Sequence, residues 1–225
     1  YTLDEKLTLM AGLRADRSSL HGAFVTPRAH LRWKPAEWFT MRASIGKGYR
    51  TPHVMPEYHY LLASSRTWDA TALKEVPQEE SWNMGMSLLF QIPIAGRRLE
   101  VNADYYYTDF QQQLIVDRET RGKIKFYALD GKSYSHCFQV DATYPFFPGF
   151  ELTAAWRMNH VRTTYEDGRL REAPLTSRWK GLLTASYKTP LELWQFDVTC
   201  QLNGPGRMPD PGDNSQCTIH NSQLT

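Results

Sequence analysis

No stretch of this 225-residue sequence stays apolar long enough to form a membrane-crossing helix. Hydrophobic residues make up 41% of it and are interrupted everywhere by polar ones. That excludes a helical membrane protein and leaves open a barrel, whose strands are apolar on one face only. An excess of one charge is missing too: 26 Lys and Arg stand against 24 Asp and Glu, and the basic residues are spread along the chain. Neither a strong field nor a basic stripe points to nucleic acid. Cysteine is scarce. Cys137, Cys200 and Cys217 form no C-x-x-C pair, and their odd number argues against a disulfide framework, so they read as small apolar side chains or free thiols. No signal peptide opens the chain, which begins at Tyr1 in mid-pattern and without Met, so the sequence reads as a fragment or a processed piece.

The signatures of common chemistries are absent as well. Ile45-Gly46-Lys47-Gly48 lacks the spacing and the following helix of a phosphate loop. No Ser occupies a Gly-x-Ser-x-Gly elbow. Glu79 and Glu80 are adjacent, so on a strand they face opposite sides and cannot act as an acid–base pair. Tyr105-Tyr106-Tyr107 suggests base stacking only until the lack of a basic groove is noticed; a strand explains it better. These omissions point away from an enzyme, from a bound cofactor and from a nucleic-acid partner.

What the sequence does contain is alternation. From Leu99 to Phe110, Leu99, Val101, Ala103, Tyr105 and Tyr107 share one face, against Glu100, Asn102, Asp104, Tyr106 and Thr108. Phe150, Leu152, Ala154, Trp156 and Met158 oppose Glu151, Thr153, Arg157 and Asn159 in the same way. Trp194, Phe196, Val198, Cys200 and Leu202 oppose Gln195, Asp197, Thr199, Gln201 and Asn203. A helix would scatter each set around its circumference; a strand segregates them. Weaker copies begin at Leu7, Phe39, Trp82, Phe138 and Leu183, with another near Pro27 to Trp33. The fold class read from this is all-β: an antiparallel meander of about nine amphipathic strands of about ten residues, part of a transmembrane β-barrel.

The connections alternate in length. Short ones are expected at Lys34-Pro35-Ala36, Pro93 to Gly96, Pro145 to Gly149 and Thr189-Pro190-Leu191, each holding a Pro that cannot donate to a ladder. Long ones are expected at Gly48 to Glu79, around Arg118 to Lys132 and at Val161 to Ser177. Tight periplasmic turns and larger extracellular loops are the pattern of outer-membrane barrels. Aromatics gather at the short turns (Trp33, Trp38, Tyr144, Phe146, Phe147, Phe150 and Trp194), where an interfacial girdle would put them and where ordinary strand-end aromatics also occur. A soluble sandwich or lipocalin-like barrel also alternates, but its polar face has no need of so much Arg, Asp, Asn, Gln and Thr; a wide lumen has. Arg157 falls in that polar phase, where it avoids a cost of about 2–4 kcal/mol at mid-membrane.

The stretch Ala43-Ser44-Ile45-Gly46-Lys47-Gly48-Tyr49-Arg50-Thr51-Pro52, continuing through Glu57 and Tyr60 to Arg66, resembles the barrel of TonB-dependent outer-membrane receptors. There a strand ends in a similar Gly-Tyr/Phe-Arg-x-Pro segment before a loop containing Glu. Leu73-Lys74 with Glu79-Glu80-Ser81-Trp82-Asn83-Met84-Gly85 is similar to the family's strand opening, with Val76-Pro77 displacing its tight Lys-Pro-Glu. Tyr107-Thr108-Asp109-Phe110, Ile115-Val116-Asp117 and Pro174-Leu175-Thr176-Ser177-Arg178 resemble a Bacteroides-type branch.

The resemblance implies that residues 1–225 are part of such a barrel, without its plug domain, its energy-coupling box or its final, aromatic-ended strands. It implies a place in the Gram-negative outer membrane, with lipid on the apolar face. The function implied is energy-coupled uptake of an external small ligand, with a metal chelate (siderophore, haem or cobalamin) favoured, and with the TonB protein acting through the plug. A non-transporting barrel remnant and a soluble β-sheet binding module are the alternatives. The external loop after Arg50 then supplies the candidate ligand contacts His53, Glu57, Tyr58, His59 and Arg66. Their spacing matches no metal motif, and loops collect solvated polar residues in any case.

Overall fold

The computed structural model describes residues 1–209, except 4, 5, 74, 121 and 192. Cys217, the Lys74 of the strand-opening stretch and the end of the chain lie outside the described residues. Among the described residues fourteen strands are present in chain order. They are β1 (Thr2–Leu3), β2 (Leu7–Ser18), β3 (Gly22–Ala36), β4 (Phe39–Arg50), β5 (Thr67–Asp69), β6 (Glu79–Ile94), β7 (Arg97–Gln112), β8 (Leu114–Asp117), β9 (Lys123–Ala128), β10 (Ser133–Phe147), β11 (Phe150–Thr164), β12 (Leu170–Glu172), β13 (Trp179–Lys188) and β14 (Gln195–Asn203). A short helix α1 (Val54–Tyr58) and a 3-10 turn (His59–Ala63) lie between β4 and β5.

The main sheet runs β1-β2-β3-β4-β6-β7-β10-β11-β13-β14, with β12 paired to β11, and every pairing in it is antiparallel. Its long members are the strands read from alternation: β2, β3, β4, β6, β7, β10, β11, β13 and β14, of 9 to 16 residues. Most are longer than expected, because their loop ends run on past the point where the alternation fades. The sheet is open, with β1 and β14 at its two edges.

Register decides what alternation alone leaves open. One row across the sheet runs Leu9, Leu31, Ala43, Met86, Tyr105, Phe138, Met158, Trp179, each a direct partner of the next. The neighbouring row on the other face runs Thr8, Arg32, Arg42, Ser87, Asp104, Gln139, Arg157, Lys180, Asn203. A slip of one residue anywhere would mix the two. The apolar face has no second layer: Leu9 is 47% exposed, Met86 42% and Val198 70%. Among the described residues nothing covers this apolar band. Arg157 stands in the polar row, its Nε donating to Asn159 Oδ1 at 3.1 Å.

The tight turns fall at the spans read from proline, save the first, which lies just past Lys34-Pro35-Ala36. They are 37–38, 95–96 and 148–149, with 189–194 between β13 and β14. Pro35 and Pro145 sit in the last residues of β3 and β10, at register shifts where a missing N–H costs no ladder bond. Ala95 and Gly96 both have positive φ (50° and 76°), the two-residue hairpin form. The connection between β2 and β3, at 19–21 on the opposite end, is also short, an exception to the parity of loop lengths.

Aromatic contacts form two bands on the apolar side. At the turn end, Trp33, Trp38, Phe39 and Phe90 pack together, and Tyr144, Phe146, Phe147, Phe150 and Tyr187 do likewise. At the loop end, Tyr49 and Trp82 lie beneath the Lys47 ammonium, and Tyr105, Tyr107, Tyr134, His136 and His160 form a second group. On β11 the bands are marked by Phe150 and His160, about 34 Å apart along a strand and about 25 Å along the axis of a tilted one. Two aromatic girdles flanking an apolar band of that height match a bilayer.

Candidate functional site

The buried hydrophobic residues are Leu61, Leu114, Ile115, Ile124, Phe126, Tyr127 and Tyr165, and all of them belong to the connections at the loop end. The core of the described structure therefore sits in the loops and not on the barrel wall. Two of the three long connections contribute a second sheet, ordered β5-β9-β8, with β5 parallel to β9. Ile124 and Phe126 of β9 are 0% exposed and pack with Leu61, Val54, Tyr58, Trp68, Leu73 and Val116. Alternation within β9 explains this: Ile124 and Phe126 share one face, while Lys123 and Lys125 face out to Asp69 and Glu166.

Polar links join the connections to one another. Arg66 Nη1 donates to the Arg118 carbonyl at 3.2 Å, and Arg118 Nη2 to the Tyr60 hydroxyl at 2.8 Å. The Tyr127 hydroxyl donates to buried Asp117 at 3.0 Å and accepts the Glu166 N–H at 2.9 Å, tying the second connection to the third. Arg207 grips Glu119 with two N–H groups at 2.5 and 3.0 Å, donates from Nε to the Glu172 carbonyl at 2.8 Å, and lies over the Tyr165 ring. Burial pushes the Tyr127 phenol far up, with the Asp117 charge adding to it; burial also raises Tyr58 and Tyr165.

This unit is anchored on the polar face. Arg50 and Glu79 are direct partners at the ends of β4 and β6, in the polar phase of both. Arg50 Nε donates to Glu79 Oε2 at 2.7 Å, and Glu79 Oε1 accepts the Leu114 N–H at 3.3 Å. Ser133 and Thr163, paired in the polar phase of β10 and β11, share a hydroxyl contact, and Ser133 also donates to Gln113 at 2.7 Å. The loops thus form one ordered cap seated on the side of the sheet that lines a lumen.

The five candidate ligand contacts do not converge. His53 precedes α1, and its N–H donates to Glu57 Oε1 at 2.8 Å; Glu57 Oε2 takes the Arg50 Nη1 at 3.0 Å. That N–H, with the Arg50 charge behind it, holds the Glu57 carboxyl below the usual range. Tyr58 packs on Phe126, with ring centroids 6.0 Å apart. His59 Nδ1 meets the Pro56 carbonyl at 2.8 Å, and Arg66 spans to the second connection. Glu57, Tyr58 and Arg66 are engaged in building the cap, while His53 and His59 are exposed. Among the described residues no group of three or more His, Cys, Asp and Glu is arranged to hold a metal ion.

Comparison with known proteins decides the family. The family described as TonB dependent receptor-like, β-barrel matches residues 1–222. The chain belongs to the TonB-dependent receptor β-barrel family. Its place is accordingly the outer membrane, as a multi-pass β-barrel. Solved structures share the fold at low identity. The FrpB iron transporter from Neisseria meningitidis aligns with a TM-score of 0.61 and 15% identity over 90% of this chain. The siderophore receptor PirA from Acinetobacter baumannii gives 0.65 and 12% over 94%, and the copper transporter OprC 0.65 and 16% over 90%. This chain covers 31%, 33% and 32% of those three, so it spans about a third of their length. No curated protein matches.

Proposed function

We propose that this chain is the ligand-gathering sector of an outer-membrane receptor that takes up an external ligand under TonB-coupled energy. The observation that carries this is the cap: two external connections share one buried core, the third is tied to them by hydrogen bonds and an ion pair, and the unit is bonded to the polar face of the wall. Loops that only close strand ends need no core, because isolated surface loops are stable as solvated chain. A preorganised cap lowers the ordering cost of binding. The sheet is open and its polar face wide, so the sector belongs to a larger barrel whose lumen takes a plug and, through it, TonB. Iron and copper transporters and siderophore receptors among the structural neighbours favour a metal chelate as cargo. His53 and His59, with the outer edges of Glu57, Tyr58 and Arg66, are the contacts proposed for it on the first connection. The action is binding and transport rather than catalysis.

The test is growth of a strain dependent on the whole receptor, supplied in turn with a ferric siderophore, haem or cobalamin as sole source. Replacing 51–78 by a short Gly-Ser linker is expected to abolish ligand-dependent growth while the barrel still assembles. Unchanged growth would refute a role for the cap. Absence of uptake for every ligand class would favour a non-transporting barrel.

A further inference from the structure

We propose that His136 and His160 form a two-histidine site for a divalent transition metal of the copper, nickel and zinc class, on the lipid-facing side of the wall at its loop end. The two are 24 positions apart in sequence, so no ligand spacing announces them. The register of β10 and β11 makes them direct cross-strand partners, on the face that carries Phe138 and Met158 one row inward. Side chains of such a pair project side by side from the sheet. Their ring centroids are 6.1 Å apart. Two metal–nitrogen bonds of about 2.0–2.1 Å at a near-tetrahedral angle place imidazole centroids about 5 Å apart, so closure needs a side-chain movement of about 1 Å.

The surroundings are those of a metal ligand. The Tyr105 hydroxyl lies 2.7 Å from His136 Nδ1. With the proton on Nδ1, the phenol oxygen accepts it, fixes the tautomer and leaves the Nε2 lone pair for a metal, the outer-shell arrangement that tunes histidine ligands. His160 makes no hydrogen bond to the described residues, so its lone pair is uncommitted. Tyr107 and Tyr134 wall the pair, with centroids 4.8 and 5.4 Å from His136. The next row outward pairs Asp109, Tyr134, Arg162 and Glu172, two carboxylates against one guanidinium, so the charge flanking the imidazoles is negative and favours a cation. Imidazole suits copper, nickel and zinc, and copper(II) binds tightest in that series. Two protein nitrogens leave the other positions to water or an external oxygen ligand, which makes the site exchangeable and distinct from cargo handling in the cap.

The experiment uses the whole receptor, purified from outer membranes in detergent and titrated with copper(II) sulfate. Binding is followed by calorimetry and by the nitrogen hyperfine pattern in electron paramagnetic resonance. The expected result is a two-nitrogen site that disappears in both His136→Ala and His160→Ala, each losing one bound copper. Tyr105→Phe is expected to keep the site and weaken it about tenfold. Folding is checked by heat-modifiable migration; where an alanine variant fails to assemble, Gln at the same position and the Tyr105→Phe affinity decide instead. Unchanged copper stoichiometry in either histidine variant, or unchanged affinity in Tyr105→Phe, overturns the proposal.

Discussion

Glu79 is held from two sides: Arg50 Nε reaches one carboxylate oxygen at 2.7 Å, and the Leu114 N–H reaches the other at 3.3 Å. One short contact thus joins two neighbouring wall strands to the sheet inside the cap. The Glu79 side chain is 11% exposed and that of Arg50 54%, so the pair is half screened and is worth less than a fully buried one. Glu79→Ala is expected to weaken the attachment of the cap by about 1–3 kcal/mol, since it orphans a buried N–H. Hydrogen exchange at 113–117 should accelerate accordingly while the mid-strand amides of β6 and β7 stay protected. Uniform acceleration through both strands would show that Glu79 supports the wall and not the cap.

The two faces of β11 should respond to charge in opposite ways. Ala154 lies about midway between Phe150 and His160, which mark the two aromatic bands. Ala154→Arg is expected to cost about 2–4 kcal/mol, and Leu152→Arg, nearer the turn-end girdle, less. Thr153→Arg replaces a residue of the polar face whose hydroxyl meets Thr143 at 3.0 Å, a loss of about 1 kcal/mol. The assembled fraction of the whole receptor, read by heat-modifiable migration, should fall in the order Thr153→Arg, Leu152→Arg, Ala154→Arg. Equal behaviour of the two faces would remove the basis for assigning lipid and lumen.

Strand number, phase and polarity were legible in the sequence because each rests on local alternation that a half-exposed sheet must keep. The cap was not. Its strands β5, β8, β9 and β12 have six residues or fewer, too few for a period to show, and their pairing joins segments as distant as Thr67 and Lys123. Ile115-Val116-Asp117 was legible only as a family-like stretch, although the apolar run Leu114-Ile115-Val116 marks a buried strand. The loop-end girdle stayed hidden for the same reason as the histidine pair: Tyr105, Tyr134, His136 and His160 come together only once register is known. Of the candidate contacts, Glu57 and Tyr58 are polar residues in a loop by sequence, yet structural members of the cap by geometry.

Phe126 offers a way to separate the cap from the wall. It is 0% exposed and touches the rings of Tyr58 and Trp68, with centroids at 6.0 and 5.0 Å. Phe126→Ala should cost about 3–5 kcal/mol, and all of that loss falls within the loops. Limited proteolysis of the whole receptor should then cut within 51–78 and 113–132 while the strands remain intact, and ligand-dependent growth should drop. Normal growth with a melted cap would mean that the ligand is gathered elsewhere.

The cap should also lose order at both extremes of pH, for different reasons. The carboxyls of Glu57 and Asp69 lie below their ordinary range in the folded state, Glu57 because of the His53 N–H and Arg50, Asp69 because of the Thr71 hydroxyl and N–H. Lowered folded values mean that their stabilisation is present above about pH 4, the unfolded value, and is lost as pH falls through the folded one. Both carboxyls are partly open to solvent and bonded only locally, so the acid effect is confined to α1 and the end of β5. Tyr127 runs the other way: burial, then Asp117, raises it, so its contribution is complete below about pH 10 and declines as pH rises beyond the unfolded value. Because its hydroxyl donates to Asp117 and accepts the Glu166 N–H, deprotonation removes the donor to Asp117 and sets a phenolate against that carboxylate, which displaces the ring that holds the third connection. Hydrogen exchange across pH should therefore show the first connection opening in acid and the junction of the other two opening in alkali. Tyr127→Phe should open that junction already at neutral pH, and a variant that keeps the wild-type alkaline profile would exclude this hydroxyl as the cause.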